Sequence, residues 1–248
     1  GFQLTSEGQA VFDATMQLLA AVEDFRTRVN GLHSQLTGEL NIGITDNLVT
    51  MPNMHITEAL RALKARGDKV HINIRMAPPG DIEMAVLEGS LHTGAVPRLK
   101  AIPGLDYVPL YEERSALYCS SRHPLFRDRT TGPDRIAEYD AVVPSYAQTP
   151  EIRKAYESLK PMASATDREG VAFLVLTGSY IGFLPTHFAQ RWVEQGEMKQ
   201  LCPDDFGYET SYCLITRKGR PPNLVLESFF EELDDLMDEW RRAGPASG

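Results

Sequence analysis

Apolar residues in the first thirty-five positions recur with a helical beat. Val11, Leu18, Val22, Phe25, Val29 and Leu32 fall on alternating steps of four and three once Thr15 fills one place, which is the seam of a heptad repeat. No proline interrupts residues 6–33. Thr5 or Ser6 can cap the run, and Ser6 with Gln9 fits a capping box. About 28 residues at ~1.5 Å each make a rod of roughly 40 Å. A seam of that length needs a cover, either a second helix from another copy or the surface of its own domain. The dimerising helix is the reading favoured here.

After Gly38 the texture changes to short alternating runs. Leu40–Ile44 reads as a strand, and Asn53–Arg66 as an amphipathic helix with Ile56, Ala59, Leu60 and Leu63 on one face. Val70–Met76 alternates strictly, as a strand does. Pro78-Pro79-Gly80 is a loop, Asp81 caps a helix through Met84, Val86 and Leu87, and Leu91–Val96 is a strand. This β-α-β-α-β order predicts parallel strands with right-handed crossovers. Two further strands are expected at Leu105–Leu110 and Arg114–Cys119.

The pattern then restarts. Strands are expected at 140–143, 163–165 and 180–183, with helices at 150–159, 168–176 and 187–194. An apolar strand at Tyr212–Thr216 and an acidic amphipathic helix at Asn223–Trp240 close the chain. The acids between the apolar positions of that last helix read as a solvated face. Two α/β halves crossed twice by the chain predict a hinged clamshell, with ligands received at strand carboxyl ends beside helix N-termini.

Composition narrows this picture. Among 248 residues, 25 are Lys or Arg and 34 are Asp or Glu, a net charge of −9. Such a balance opposes direct grip on a phosphate backbone. The three cysteines, Cys119, Cys202 and Cys213, match no zinc spacing and read as reduced thiols, with Cys202 and Cys213 the nearest candidates for a redox pair. No stretch reaches the ~18 apolar residues of a membrane span, and no basic segment followed by an apolar one marks an export signal. Nucleophile elbows, phosphate loops, zincin motifs and dinucleotide fingerprints are missing from the sequence, and the histidines form no i, i+4 pair. The expectation is a binding protein without catalytic residues, metal or cofactor.

Four short motifs in order then carry a resemblance. Gly1-Phe2-Gln3-Leu4-Thr5-Ser6-Glu7-Gly8 resembles the end of a winged helix-turn-helix, where L-T-x-x-G opens a linker helix. Gly38-Glu39-Leu40-Asn41-Ile42-Gly43 resembles the G-x-L-x-I-G that begins an effector-binding domain. His123-Pro124-Leu125 and Gly182-Phe183-Leu184-Pro185 follow at matching places. Together they are similar to the LysR-type transcriptional regulators of bacteria. The resemblance implies two Rossmann-like lobes of the type II periplasmic-binding-protein kind behind a long linker helix. It implies a homodimer or homotetramer, a small-molecule effector such as a small carboxylate or aromatic acid, and a cytoplasmic location. It implies DNA binding only through an N-terminal domain of which residues 1–5 are a remnant. Residues 6–35 would be the linker, 38–118 with 212–242 the first lobe and 119–211 the second.

By the same resemblance the effector lies between the lobes. Candidate contacts are Thr45, Asp46 and Asn47 after the first strand, Pro79 and Gly80 after the second, and Pro97 and Arg98 after the third. The second lobe offers Ser145, Tyr146, Gln148 and Thr149 at a helix start, and Phe183. Helix N-termini and Arg98 suit an anion, whereas Asp46 repels one unless it is paired. A transporter's solute-binding protein of the same fold is the alternative. It would need an export signal in place of the heptad helix.

Overall fold

The structure is a computed structural model that describes residues 36–52, 54–128, 132–146 and 148–243, with Thr5, Ser6, Gly8, Val11, Phe12, Ala14, Thr15, Met16, Leu18, Leu19, Ala21 and Val22 ahead of them. The seam positions Phe25, Val29 and Leu32 lie outside the described residues. Strands are β1 (Thr37–Ile44), β2 (Lys69–Met76), β3 (Thr93–Pro97), β4 (Leu105–Ser120), β5 (Asp140–Pro144), β6 (Lys160–Ala165), β7 (Ile181–Pro185), β8 (Met198–Gln200) and β9 (Gly207–Arg217). Helices are α1 (Ile56–Arg66), α2 (Pro79–Glu88), α3 (Pro133–Ile136), α4 (Pro150–Tyr156), α5 (Arg168–Leu176), α6 (Thr186–Glu194) and α7 (Leu224–Ala243). The contacts divide the chain into two compact units.

The first unit comprises Gly1–Ile42, His55–Ile74 and Arg217–Gly248. In it α1 packs on α7, each offering the apolar face that its sequence period predicts. Ala59 and Leu63 of α1 and Phe229 and Leu233 of α7 are buried. Helix α1 begins at Ile56 rather than at Asn53, because His55 takes a left-handed conformation with φ 59°. Asn223 caps α7 by accepting the Leu226 N–H at 3.1 Å. Arg66 reaches Glu231 and Glu232, each at 3.2 Å. These pairs are exposed and contribute little. Gly67 runs against the Leu36 carbonyl, where a Cβ would collide with backbone.

The second unit comprises Gly43–Met54 and Arg75–Thr216. Its strands neighbour one another in the order β3-β9-β4-β7-β5-β6, with β8 also on β4. Strand β5 runs parallel to β6 and to β7. Strand β3 runs antiparallel to β9, and β4 antiparallel to β7 and β8. Two strands were expected across 105–119, yet β4 is one strand of 16 residues. Its polar middle, Glu112-Glu113-Arg114, reads as a turn, but Glu113 is fully buried and continues the ladder.

Alternation along β4 separates two cores. Ala116 and Tyr118 face a cluster with Val142, Val171, Val175 and Phe188. Leu117 and Cys119 face another with Leu125, Ile136, Ile181 and Phe183. A third cluster seats Ile82 and Val86 of α2 on Val96 of β3 and Cys213 and Ile215 of β9. All three cysteines are thiols. Burial pushes those of Cys119 and Cys213 up to about 11 and also raises Cys202. A reactive cysteine needs the opposite shift, so the redox reading gains no support.

Candidate functional site

Arg168 is the centre of a buried polar cluster in the second unit. It occupies the first position of α5, behind Asp167, whose carboxylate caps the helix by accepting the Gly170 N–H at 2.7 Å. A cation in the first turn runs against the helix dipole, so its place must be justified by partners. Its backbone N–H donates to Asp46 Oδ2 at 2.5 Å. Its guanidinium lies 4.0 Å from Asp46 Oδ1 and 3.8 Å from Glu113 Oε1, and 5.0 Å over the Tyr146 ring. Burial works against the Arg168 charge, but Tyr212, Tyr146, Glu113 and Asp46 more than offset it, so the guanidinium stays protonated well beyond its ordinary range.

Each partner is placed by a short local rule. Asp46 and Asn47 turn the chain after β1, with Asn47 at φ 58° leading into a single 3-10 turn at Leu48–Thr50. Glu113 and Tyr111 stand two residues apart on β4, and therefore on one face. Tyr111 stacks on Tyr212 with ring centroids 4.9 Å apart. His187, at the start of α6, contacts Glu113 Oε2 through Nε2 at 3.1 Å and Thr50 Oγ1 through Nδ1 at 2.8 Å. Burial raises the Asp46 carboxyl above the usual carboxylate range despite Arg168. Burial also raises the phenols of Tyr111, Tyr146 and Tyr212, which stay neutral.

Several polar atoms here are buried without a hydrogen-bond partner: Thr45 Oγ1, Tyr111 OH, Glu113 Oε1 and Tyr212 OH. Buried polar atoms are ordinarily paired.

The residues named from the sequence divide between this cluster and other roles. Asp46 and Tyr146 touch Arg168. Thr45 is buried in the same turn, Asn47 shapes it, and Pro97 pairs in register with Tyr212. Phe183 belongs to an aromatic group with Tyr156 and Tyr208 at centroid distances of 4.9 and 5.2 Å. Arg98 lies 5.8 Å over Tyr107 instead. Ser145 and Gln148 turn back to the carbonyls of Ala165 and Pro144. Thr149 caps α4 by accepting the Ile152 N–H. Pro79 and Gly80 open α2, and a Cβ at Gly80 would meet open space.

The sequence reading missed Arg168, Glu113, Tyr111, Tyr212, Thr50 and His187. Two of them left a signal. Arg168 is a base in a helix's first turn, and Glu113 is an acid inside an apolar strand. Among the described residues no group of His, Cys, Asp and Glu could hold a metal ion. No helix among them is long and apolar enough to cross a membrane.

Comparison with known proteins gives the cluster its context. The family model described as LysR substrate binding domain matches residues 33–238. The HTH-type transcriptional activator BauR of Pseudomonas aeruginosa is 52% identical over 233 residues, covering 93% of this chain and 76% of that protein. The effector-binding domain of QuiR, solved in complex with shikimate, superposes with a TM-score of 0.69 at 13% identity, covering 82% of this chain and 99% of that one. Full-length CbnR, solved with its target DNA, has a TM-score of 0.61 at 17% identity, covering 95% of this chain and 84% of that one. These structures establish a mixed α/β fold of the type II periplasmic-binding-protein kind. With the family matched across most of its length and a regulator identical at half of its positions, the chain belongs to the LysR-type transcriptional regulators and carries their effector-binding domain.

Proposed function

We propose that this domain takes its effector at the Arg168 cluster, and that the effector is a small molecule bearing a carboxylate. The observation that carries the reading is a buried guanidinium whose carboxylate neighbours lie at 3.8 and 4.0 Å, in a region where Thr45, Tyr111 and Tyr212 have buried hydroxyls that lack partners among the described residues. A ligand carboxylate can accept the guanidinium fork, which is a stronger contact than either flanking acid makes. Thr45, Tyr111 and Tyr212 then supply donors to the same ligand. Asp46, with its raised proton affinity, is the acid best able to yield Arg168.

The proposed lobes, 38–118 with 212–242 and 119–211, both supply this cluster. Asp46, Tyr111 and Glu113 belong to the first, Tyr146 and Arg168 to the second. A ligand bridging them biases the arrangement of the lobes, and dimeric linker helices pass that bias to DNA-binding domains, by a difference in affinity between two states. On this reading the protein works in the cytoplasm, on DNA. A thermal-shift screen of small carboxylates and aromatic acids tests the site. A compound that raises the melting temperature should lose its effect in Arg168→Ala and weaken in Thr45→Ala. Arg98→Ala should leave it unchanged. A ligand indifferent to Arg168 places the site elsewhere.

A further inference from the structure

The contacts around Arg168 form a closed ring. From Thr50 they run to His187, from His187 to Glu113, from Glu113 to Arg168, and from Arg168 to Asp46, four residues before the start. One turn of chain after β1 therefore holds both ends. Helices α5 and α6 and strand β4 each contribute one member.

The weak link in that ring is the one between opposite charges. Glu113 and Arg168 are both buried, at 0% and 7% exposure. A buried carboxylate beside a guanidinium ordinarily closes to a bidentate pair at ~2.8 Å. Here the nearest approach is 3.8 Å, and Glu113 Oε1 accepts no hydrogen bond. The other oxygen, Oε2, lies 3.1 Å from His187 Nε2. Contact with a carboxylate requires that nitrogen to carry its proton, so Nε2–H donates to Glu113. The imidazole is held on its other side by a hydrogen bond between Nδ1 and the Thr50 hydroxyl at 2.8 Å.

We infer that His187 is a positioning residue of the effector site: it holds Glu113 back from Arg168 and so keeps the guanidinium available to an anion. The inference rests on the reading that Arg168 receives the effector's carboxylate. Glu113 is then a built-in competitor. Affinity depends on how firmly His187 restrains it.

The test pairs a binding cycle with a spectroscopic readout of the unliganded protein. Binding of sodium benzoate and sodium succinate is measured by calorimetry in the wild type, His187→Ala, Glu113→Gln and the double variant. His187→Ala should weaken whichever probe binds by about tenfold or more, as the freed carboxylate closes on Arg168. The double variant should bind as Glu113→Gln does, because a neutral amide does not compete for the guanidinium. A double variant as weak as His187→Ala, or a His187→Ala protein that binds normally, overturns the inference. Ring 15N shifts of His187 in the wild type should show a proton on Nε2, and a proton on Nδ1 alone also overturns it. Should neither probe bind the wild type, the carboxylate reading fails for them, while the ring shifts still decide whether His187 holds Glu113.

Discussion

Burial lifts the Asp46 carboxyl above the usual carboxylate range, although the Arg168 charge and the Arg168 N–H both favour its ionised form. The folded chain therefore binds this proton more tightly than the unfolded chain does. Between the two proton affinities folding takes up a proton, so the stability contributed by this group falls as pH rises through that range. At neutral pH the Asp46 charge is a net burden on the fold. Asp46→Asn keeps an oxygen for the Arg168 N–H and removes the charge. In urea at pH 7 its midpoint should exceed that of the wild type, and the gap should narrow toward about pH 3, where the wild-type carboxyl is protonated in both states. A gap that is constant with pH would point to packing instead. Asp46 and Tyr146 were named because the family resemblance sets the effector between the lobes and both residues follow a strand at its carboxyl end. Arg168, Glu113 and His187 were not. Each lies far along the chain from its partners, and periodicity carries no information about which polar residues meet in space.

Helix and strand positions were more legible than the sheet they form. Short apolar runs between glycines and prolines marked β5, β7, α5 and α6 to within a few residues. Strand β4 defeated the reading because its buried acid mimics a turn, and three-residue β8 is too short to show a period. Antiparallel pairing of β3 with β9 joins residues more than a hundred positions apart, Gly94 with Ile215 among them, and no local signal announces it. Close packing between elements was hidden in the same way. Gly43 and Gly94 both lie beneath Ile82 of α2. A Cβ on Gly43 would come within 2.7 Å of the Ile82 methyl, and one on Gly94 would collide with it. These glycines let α2 sit low on β1 and β3. Gly94→Ala forces α2 outward and should destabilise the protein by about 1–3 kcal/mol, the usual range for an overpacked core. The urea midpoint should fall with the slope unchanged. An unshifted midpoint would mean that α2 yields freely.

At the scale of the whole molecule, family membership was visible in four short motifs, because their order along the chain reflects a whole fold rather than one element. Helical residues ahead of Leu36 expose Val11 at 66%, Phe12 at 51%, Leu18 at 64%, Leu19 at 54% and Val22 at 44%. Single exposed apolar residues are ordinary, but these recur at separations of seven and four along one helical stripe, which is a surface waiting for cover. Thr15, the polar residue on the seam, donates its hydroxyl to the Val11 carbonyl at 2.8 Å. Its polar group is thus satisfied within the helix, and its methyl remains free to pack. Each large side chain covered by a partner helix contributes about 1.5–3 kcal/mol, so a few such layers suffice for a stable pair. The chain should therefore be dimeric or larger by light scattering at micromolar concentration. Leu18→Glu with Val22→Glu places two charges in consecutive layers of the seam. It should lower the measured mass toward the monomer while leaving the far-ultraviolet circular dichroism of the effector domain intact. A wild-type monomer, or a dimer that ignores both charges, would move the interface off this helix.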